Sequence, residues 1–255
     1  VKKSSFLFFQ GSFYSHHHKH SDDLSLILQE NGINILIDSG KYGYHKDKYR
    51  EYFLSTRSHN TIEVDEQSTT RSQNYTYGSA ISEEPKNING FWVVKGRVDH
   101  KVNQYIHERI IIYKPSEELY VIDVLTNKRR SSVRHVDQWW HFDTNTEVFI
   151  EEETVFVKTN KNINVEITSQ CSSSETNYYT YKGYESNDAL IGWISKSYLQ
   201  YEPTSTLRIS TILDKKTTIL TRFILSQKLL VEPTISLIKD KIITKNFSLS
   251  SYIND

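Results

Sequence analysis

The chain has 255 residues, and its 31 Lys and Arg residues balance its 31 Asp and Glu residues. This balance provides no overall field that would attract nucleic acid or an anionic membrane surface, so we expect no nucleic-acid partner. A single cysteine, Cys171, excludes an intrachain disulfide, and no run approaches the ~18 apolar residues of a membrane-spanning helix.

Alternation of apolar and polar residues with a period of two recurs along the whole chain, which predicts β-strands. The first predicted strands cover residues 24–28 and 33–37. Further strands are predicted at 62–64, 106–112, 119–125, 147–150, 154–158, 163–167, 207–213 and 218–225. Asn-Gly pairs at 31–32 and 89–90, and polar segments at 114–118 and 159–162, are typical of hairpin turns.

This number of short strands exceeds what one open sheet usually holds before it curls or splits. We therefore predict an all-β fold, a large antiparallel two-sheet β-sandwich of the super-sandwich type. No linker rich in Pro, Gly or Ser divides the sequence, which favours a single domain over residues 1–255. Segments 42–58, 66–87 and 172–188 are predicted to be long loops, and helical spacing is weak throughout.

Histidines near the start of the chain form the first candidate site. In an extended strand His16, His18 and His20 would point to one face, and His-x-His is a recurrent spacing of zinc ligands. Asp38 ends an apolar strand, and His59 comes just before the next one. Side chains from these three segments could form a His-Asp-His metal site with an open position.

Other interpretations of the same residues remain open. Histidines in loops are often solvated, and Asp38 before Ser-Gly could be a turn residue that bonds its own backbone. Asp22 and Asp23 compete as ligands. A cupin-like metal enzyme would need a Glu a few residues after the histidine pair, where this chain has Leu24 and Leu26.

Three motifs in order carry a resemblance to a known family. They are His-x-His-x-Asp at 18–22, Asp-x-Gly-x-Tyr at 38–42 and Thr-x-x-His-Asn-Thr at 56–61. With this combination the chain resembles the C-terminal β-sandwich domain of the heparinase II/III-like polysaccharide lyases, which include related alginate lyases. The resemblance covers about residues 1–150, and segments 108–113, 121–123 and 138–142 are similar to the family's later sheet.

The resemblance implies one part of a larger enzyme. Such lyases cleave uronic-acid-containing polysaccharide, of the glycosaminoglycan or alginate type, by β-elimination. The acidic polysaccharide lies between this domain and an N-terminal α/α toroid, which is absent here. The chain contains no Met, so we expect it to be a piece of a longer protein, inactive by itself. A periplasmic or extracellular location in a bacterium is also implied.

The resemblance also implies roles for individual residues. His18 corresponds to the family's histidine at the reaction centre. Tyr44, like Tyr49 and Tyr52, lies in the loop where some relatives have a catalytic or substrate-contacting tyrosine, and packing or a surface position is the alternative for each. His20, Asp38 and His59 correspond to the metal ligands. The implied metal is zinc, with calcium as the alternative, and its role is to shape the cleft rather than to attack the sugar.

Two further residues are candidates for substrate binding. Arg57 could hold a uronate carboxylate through two hydrogen bonds, although a solvent-facing turn residue is the alternative. Trp140 could stack on a sugar ring, but Trp139 and Trp140 on one strand must point to opposite faces, so at least one belongs to the core. A non-catalytic, metal-stabilised carbohydrate-binding or surface-polysaccharide assembly domain is the alternative to a lyase.

Overall fold

Antiparallel strand pairing dominates the computed structural model, which describes residues 4–13, 18–71, 78–129, 132–160, 163–225, 232–244 and 246–254. The strands are β1 (Phe6–Phe9), β2 (Ser12–Phe13), β3 (Leu26–Glu30), β4 (Ile33–Leu36), β5 (Ile62–Val64), β6 (Gly78–Ser79), β7 (Ile81–Ile88), β8 (Phe91–His100), β9 (Tyr105–Lys114), β10 (Glu118–Asn127), β11 (Arg134–His141), β12 (Thr146–Glu151), β13 (Thr154–Thr159), β14 (Asn164–Cys171), β15 (Asn177–Lys182), β16 (Tyr184–Glu185), β17 (Leu190–Ile191), β18 (Trp193–Ser197), β19 (Gln200–Pro203), β20 (Ser205–Leu213), β21 (Lys216–Ile224), β22 (Ile235–Ile238) and β23 (Lys241–Thr244). The helices are α1 (Lys48–Leu54) and α2 (Phe247–Asn254), with a 3-10 turn at Thr56–Ser58. Within these described ranges, no helix is long and apolar enough to cross a membrane.

Three sheets form the body of the sandwich. The largest has eight strands in the order β12-β13-β14-β21-β10-β9-β8-β7. The others have the orders β15-β20-β11-β5 and β1-β3-β4, and an antiparallel bridge from Leu36 to Phe142 joins β4 to the end of β11. The predicted all-β antiparallel sandwich is therefore confirmed.

The main core lies between the eight-stranded sheet and the two smaller sheets. Alternate residues of facing strands fill it, including Leu28 of β3, Val121 of β10, Trp140 of β11 and Phe223 of β21. The opposite face of the eight-stranded sheet is covered by the β22–β23 hairpin and α2, whose Leu249 is completely buried. The fold thus has a third, smaller layer that the sequence pattern did not predict.

Each segment predicted to be a loop contains regular structure. Segment 42–58 contains α1, where Asp47 caps the helix by accepting a 2.8 Å hydrogen bond from the Arg50 backbone N–H. Segment 66–87 includes most of β7, and segment 172–188 includes β15, which pairs with β20. Helix α1 has only seven residues, which is too short to give a clear helical period.

A fully buried ion pair connects the eight-stranded sheet to the loops at one end of the sandwich. Arg109 of β9 and Asp123 of β10 lie opposite each other, with Nε to Oδ1 and Nη2 to Oδ2 distances of 2.6 and 2.9 Å. The remaining Nη1 group donates to the carbonyls of Leu24 (2.8 Å) and Asn60 (2.6 Å). These two residues belong to the loops that precede β3 and β5.

The Asp123 carboxylate has two further partners. His107 Nε2 lies 2.7 Å from Oδ1, and Gln138 Nε2 donates to Oδ2 at 2.7 Å. Burial alone would raise the pKa of Asp123, but the Arg109 guanidinium and His107 outweigh it and hold that pKa well below its usual range. The carboxyl group is therefore ionised inside the protein.

Replacing Arg109 with Leu should strongly destabilise the protein, because it leaves the Asp123 carboxylate buried without its charge partner. Loss of one partner of a buried pair costs about 3 to 5 kcal/mol. Arg97→Leu is the matched control: it lies on the neighbouring strand β8 and faces Glu108 at 4.0 Å across an exposed surface. In urea unfolding, the control should change the free energy of unfolding by less than about 1 kcal/mol. Equal shifts for the two variants would contradict this expectation.

His100 should make folding stability depend on pH. It is buried beside Tyr105, with ring centroids 4.6 Å apart, and burial together with His107 lowers the pKa of His100 to about 3. The unfolded chain binds a proton below a pH of about 6.5, whereas the folded chain does not. The contribution of neutral His100 to the free energy of unfolding is therefore fully present above a pH of about 6.5. It is lost as the pH falls toward 3, the approximate pKa of His100 in the folded protein.

In His100→Phe, the slope of unfolding free energy against pH between pH 7 and pH 4 should decrease by up to one proton, or about 1.4 kcal/mol per pH unit. Urea unfolding at several pH values measures this slope independently of any change in absolute stability. His45→Phe, at an exposed position, is the control and should keep the parent slope. An unchanged slope in His100→Phe would show that this histidine is protonated in the fold.

Candidate active site

The loops before β3 and after β4 meet in a cavity of about 360 Å³ at one end of the sandwich. The loop before β3 contributes His18 and His20, and Asp38 follows β4. His18 has a positive φ of 65° and lies in a turn, so the prediction that these histidines lie on an extended strand is wrong for the described residues. His16 and His17 fall outside the described residues.

The three predicted metal ligands are close neighbours. The His20 and His59 ring centroids are 5.3 Å apart, and His59 Nδ1 lies 2.7 Å from Oδ2 of Asp38. Oδ1 of Asp38 accepts a 2.7 Å hydrogen bond from the Gly40 backbone N–H, so Asp38 is also the turn residue of the alternative interpretation. The other His59 nitrogen, Nε2, is buried without a hydrogen-bond partner.

Charge states at this cluster follow from burial and from the close contact of Asp38 with His59. Burial, and then His59, lower the pKa of His20 to about 4. Burial opposes ionisation of Asp38 and His59, but their mutual attraction prevails, so the pKa of Asp38 is lowered and that of His59 is raised. Both shifts favour an ion pair between Asp38 and His59, next to a His20 imidazole whose neutral form is favoured.

The donor atoms of His20, Asp38 and His59 are of the types that bind divalent metal ions. Two imidazoles and a carboxylate are common zinc ligands, and the unpartnered Nε2 of His59 offers a free lone pair once its ring is neutral. Within the ranges that the structure describes, no three His, Cys, Asp or Glu side chains are already arranged to hold an ion. The direct hydrogen bond between Asp38 and His59 would have to give way to metal–ligand bonds.

The two predicted catalytic residues also lie together. His18 Nδ1 is 3.4 Å from the Tyr44 hydroxyl, and the two rings meet edge to face at 5.9 Å. Both are exposed, Tyr44 by 54%. The sequence interpretation missed Lys41, whose ammonium donates a hydrogen bond to the Tyr44 hydroxyl and lies 3.4 Å from His18 Nδ1. Its position inside the Asp-x-Gly-x-Tyr motif was the available signal.

Trp140 does not face this cavity. Its side chain is 0% exposed in the main core, where it packs edge to face on Phe223 at 4.9 Å and donates from Nε1 to Gln138. The expectation that Trp140 stacks on sugar is corrected to a core role. Its neighbour Trp139 is buried as well: its Nε1 donates to Glu63 at 3.3 Å, and its ring centroid lies 6.4 Å from that of Tyr181.

Arg57 is engaged in an ion pair. Its Nε lies 3.3 Å from Oε1 of buried Glu63, and Nη2 donates to the Glu66 carbonyl at 3.3 Å. Arg57 lines a separate cavity of about 390 Å³ together with Tyr52 and Ser186. The structure therefore does not bring Arg57 together with His18.

Asn60 is a positioning residue that the sequence interpretation overlooked. Its side chain is fully buried, donates to the carbonyls of Leu26 (2.7 Å) and Ile37 (2.8 Å), and accepts from the His141 backbone N–H (2.7 Å). One amide thus joins the start of β3, the end of β4 and the end of β11. Since His59 precedes it directly, Asn60 fixes where that imidazole lies.

Comparison with known proteins places this geometry in context. The family model described as heparinase II/III-like, C-terminal, matches residues 2–223. The chain is similar to the solved heparan sulfate lyase HepC from Pedobacter heparinus, with a TM-score of 0.70 and 15% identity over 89% of this chain and 34% of that chain. It is also similar to the heparinase III BT4657 gene product, with a TM-score of 0.69 and 14% identity over 88% of this chain and 34% of that one.

The chain thus spans about a third of the length of these solved chains. At such low identities the structural similarity shows a shared fold. No curated protein matches the sequence.

Asn60→Ala should destabilise the protein by about 3 kcal/mol or more, because it leaves two buried carbonyls and one buried N–H without their partner. Asn34→Ala is the control, since Asn34 makes exposed hydrogen bonds to Gln29 and Asp143 and should change stability by less than about 0.5 kcal/mol. Urea unfolding of both variants measures the difference. If Asn60→Ala left the free energy of unfolding unchanged, the hydrogen bonds of Asn60 would not be what holds the site.

Proposed function

The chain belongs to the heparinase II/III-like C-terminal family, and from this premise we propose that it is the C-terminal β-sandwich of a polysaccharide lyase. Its substrate would be a uronic-acid-containing polysaccharide, of the glycosaminoglycan or alginate type, cleaved by β-elimination. The 3.4 Å contact between His18, which lines the cavity, and the exposed Tyr44 is the observation that carries this proposal. A polymeric substrate of this kind implies a periplasmic or extracellular location.

Elimination requires a base for the C5 proton and an acid for the leaving O4 oxygen. An imidazole and a phenol can fill these two roles, and a base must come within hydrogen-bond reach of the proton that it removes. His18 Nδ1 and the Tyr44 hydroxyl, 3.4 Å apart and both solvent-accessible, can approach one sugar ring together. The activity belongs to the longer protein, and we expect this domain by itself to be inactive.

We also propose that His20, Asp38 and His59 hold one divalent metal ion, with zinc preferred and calcium as the alternative. A bound metal would supply fixed positive charge that orders the loops of the cavity wall. The buried side of the cluster suits such a structural role, because His59 is 1% exposed and His18 lies on the open side. His18 is two residues from His20, so ordering His20 also positions His18.

His18→Ala and Tyr44→Phe should each reduce lyase turnover of the full-length protein by about 10² to 10⁴-fold. Glycosaminoglycans, alginate and other uronates would be tested, and the unsaturated product would be followed by its ultraviolet absorbance. His45→Ala and Tyr198→Phe, both at exposed positions, are the controls and should retain parent activity. Absence of unsaturated product with every uronate polymer, combined with retained polysaccharide binding, would favour the non-catalytic alternative.

The purified protein should contain one metal ion per chain by elemental mass spectrometry. A chelator should lower its thermal midpoint, because a metal that binds only the folded state stabilises that state. His20→Ala and Asp38→Asn should abolish both the metal content and the chelator effect, whereas His45→Ala should preserve both. A metal-free protein whose midpoint is unaffected by zinc, calcium or chelator would refute the metal proposal.

A further inference from the structure

Five aromatic side chains form a row on the surface of the domain, which we call the aromatic row. They lie on β15, β16, β18 and β19, and they are Tyr179, Tyr181, Tyr184, Trp193 and Tyr201. Tyr179, Tyr184 and Tyr201 are exposed, and the other two are half-buried. Single exposed rings are ordinary, but several exposed rings grouped together mark a binding surface.

Neighbouring members of the aromatic row hold one another in place. The rings of Tyr181 and Tyr184 meet edge to face, with centroids 5.8 Å apart. Trp193 donates from Nε1 to the Tyr184 carbonyl at 3.0 Å, and its ring meets that of Tyr201 edge to face at 5.3 Å. The rings are therefore positioned before a ligand arrives, which reduces the entropy cost of binding.

Arg208 of β20 holds the other end of the aromatic row. Its Cζ lies 4.5 Å from the centroid of the Tyr179 ring and 6.0 Å from that of Tyr181. Its Nε lies 3.4 Å from Oδ1 of Asp137, which is buried. Asp137 therefore balances the guanidinium charge, and the guanidinium serves to support the rings.

Carboxylates beside the exposed rings are paired with lysines. Glu185, which follows Tyr184, lies 2.5 Å from Lys48, and Glu202 lies 2.7 Å from Lys196. A protein partner that covered the aromatic row would have to remove these ion pairs from water, which is costly without new partners. A narrower ligand that lies on the ring faces would leave the ion pairs hydrated.

The aromatic row ends beside the loop that forms part of the cavity wall. Tyr201 stacks on Tyr49 with ring centroids 4.3 Å apart, and it meets Tyr42 edge to face at 5.8 Å. Gly40, which lines the cavity, forms a parallel bridge with Ser195 of β18. Because β18 and β19 form one hairpin, the row and the cavity wall are joined by direct contacts.

We propose that the aromatic row binds the sugar rings of a polysaccharide chain that extends out of the cavity. This inference rests on the proposed polysaccharide ligand and adds a second binding surface for the same chain. A pyranose ring has an apolar face of C–H groups and hydroxyls around its edge. An aromatic ring can cover the apolar face, while a tyrosine hydroxyl bonds a sugar hydroxyl. Tyrosine also loses little conformational entropy when it is immobilised.

The experiment measures how affinity depends on the length of the ligand. Calorimetry would use the full-length protein with His18→Ala to prevent cleavage, and a tetrasaccharide and a dodecasaccharide prepared from heparan sulfate and from alginate. Tyr184→Ala and Tyr179→Ala should each weaken binding of the dodecasaccharide by about five- to tenfold. The tetrasaccharide, which is too short to leave the cavity, should bind each variant as it binds the parent.

Two further comparisons identify the contact as stacking. Tyr184→Phe should retain most of the affinity for the dodecasaccharide, because it keeps the ring. Trp92→Ala is the control, since Trp92 is an exposed ring on β8 outside the aromatic row, and it should match the parent. The ratio of parent to Tyr184→Ala affinity should change little with salt, because ring faces carry no net charge.

Equal losses for the tetrasaccharide and the dodecasaccharide would place the effect in the cavity and overturn the proposal. Unchanged affinity of the alanine variants, or no binding of either oligosaccharide, would overturn it as well. Radical footprinting of the free full-length protein should oxidise Tyr179 and Tyr184, and the dodecasaccharide should protect them. Protection without any ligand would instead show that another part of the protein covers the row. Failure of the lyase function alone would appear as absence of unsaturated product with the length-dependent binding intact.

Discussion

The buried pair of Arg109 and Asp123 is the interaction on which the arrangement of the site depends. Both side chains are 0% exposed, so the pair is tolerable only if its remaining donors and acceptors are satisfied. Two of those partners are carbonyls of the loops before β3 and β5, at Leu24 and Asn60. The electrostatics of the eight-stranded sheet therefore require these loops to lie where they do, which fixes the end of the sandwich that carries the cavity.

Asn60 links the pair of Arg109 and Asp123 to the site. Its backbone carbonyl receives Arg109, while its side chain holds the carbonyl of Ile37, one residue before Asp38. His59 is the residue just before Asn60, so the 2.7 Å contact between His59 and Asp38 is set by a network that reaches into the core. This is a physical reason for a motif of His-Asn-Thr: the imidazole serves the site, and the amide secures it.

Local sequence signals predicted ten of the 23 strands in the described part of the chain, because a period of two and Asn-Gly turns depend only on neighbouring residues. Spacing alone suggested a His-Asp-His site built from the segments of His20, Asp38 and His59, and the family resemblance added the roles of His18 and Tyr44. The errors have tertiary causes. Period-two alternation does not show which face of a sheet is buried, so it could not predict that Trp140 lies in the core. Arg57 pairs with Glu63 of β5, and the sequence pattern does not indicate this ion pair. Lys41 is positioned by a hairpin that comes more than a hundred residues later in the chain.

The site has a buried half and an open half, and this division has an energetic consequence. His59 is 1% exposed, whereas Tyr44 is 54% exposed. Two unit charges 4 Å apart attract by about 1 kcal/mol in water and by about 4 kcal/mol near a protein surface, so a charged group on the open half attracts a charged ligand only weakly. This attraction would increase if water were excluded from the cavity. Under the proposed lyase function, in which this chain is one part of a longer protein, a second wall would have to come from outside this chain, because the described residues leave His18 and Tyr44 exposed.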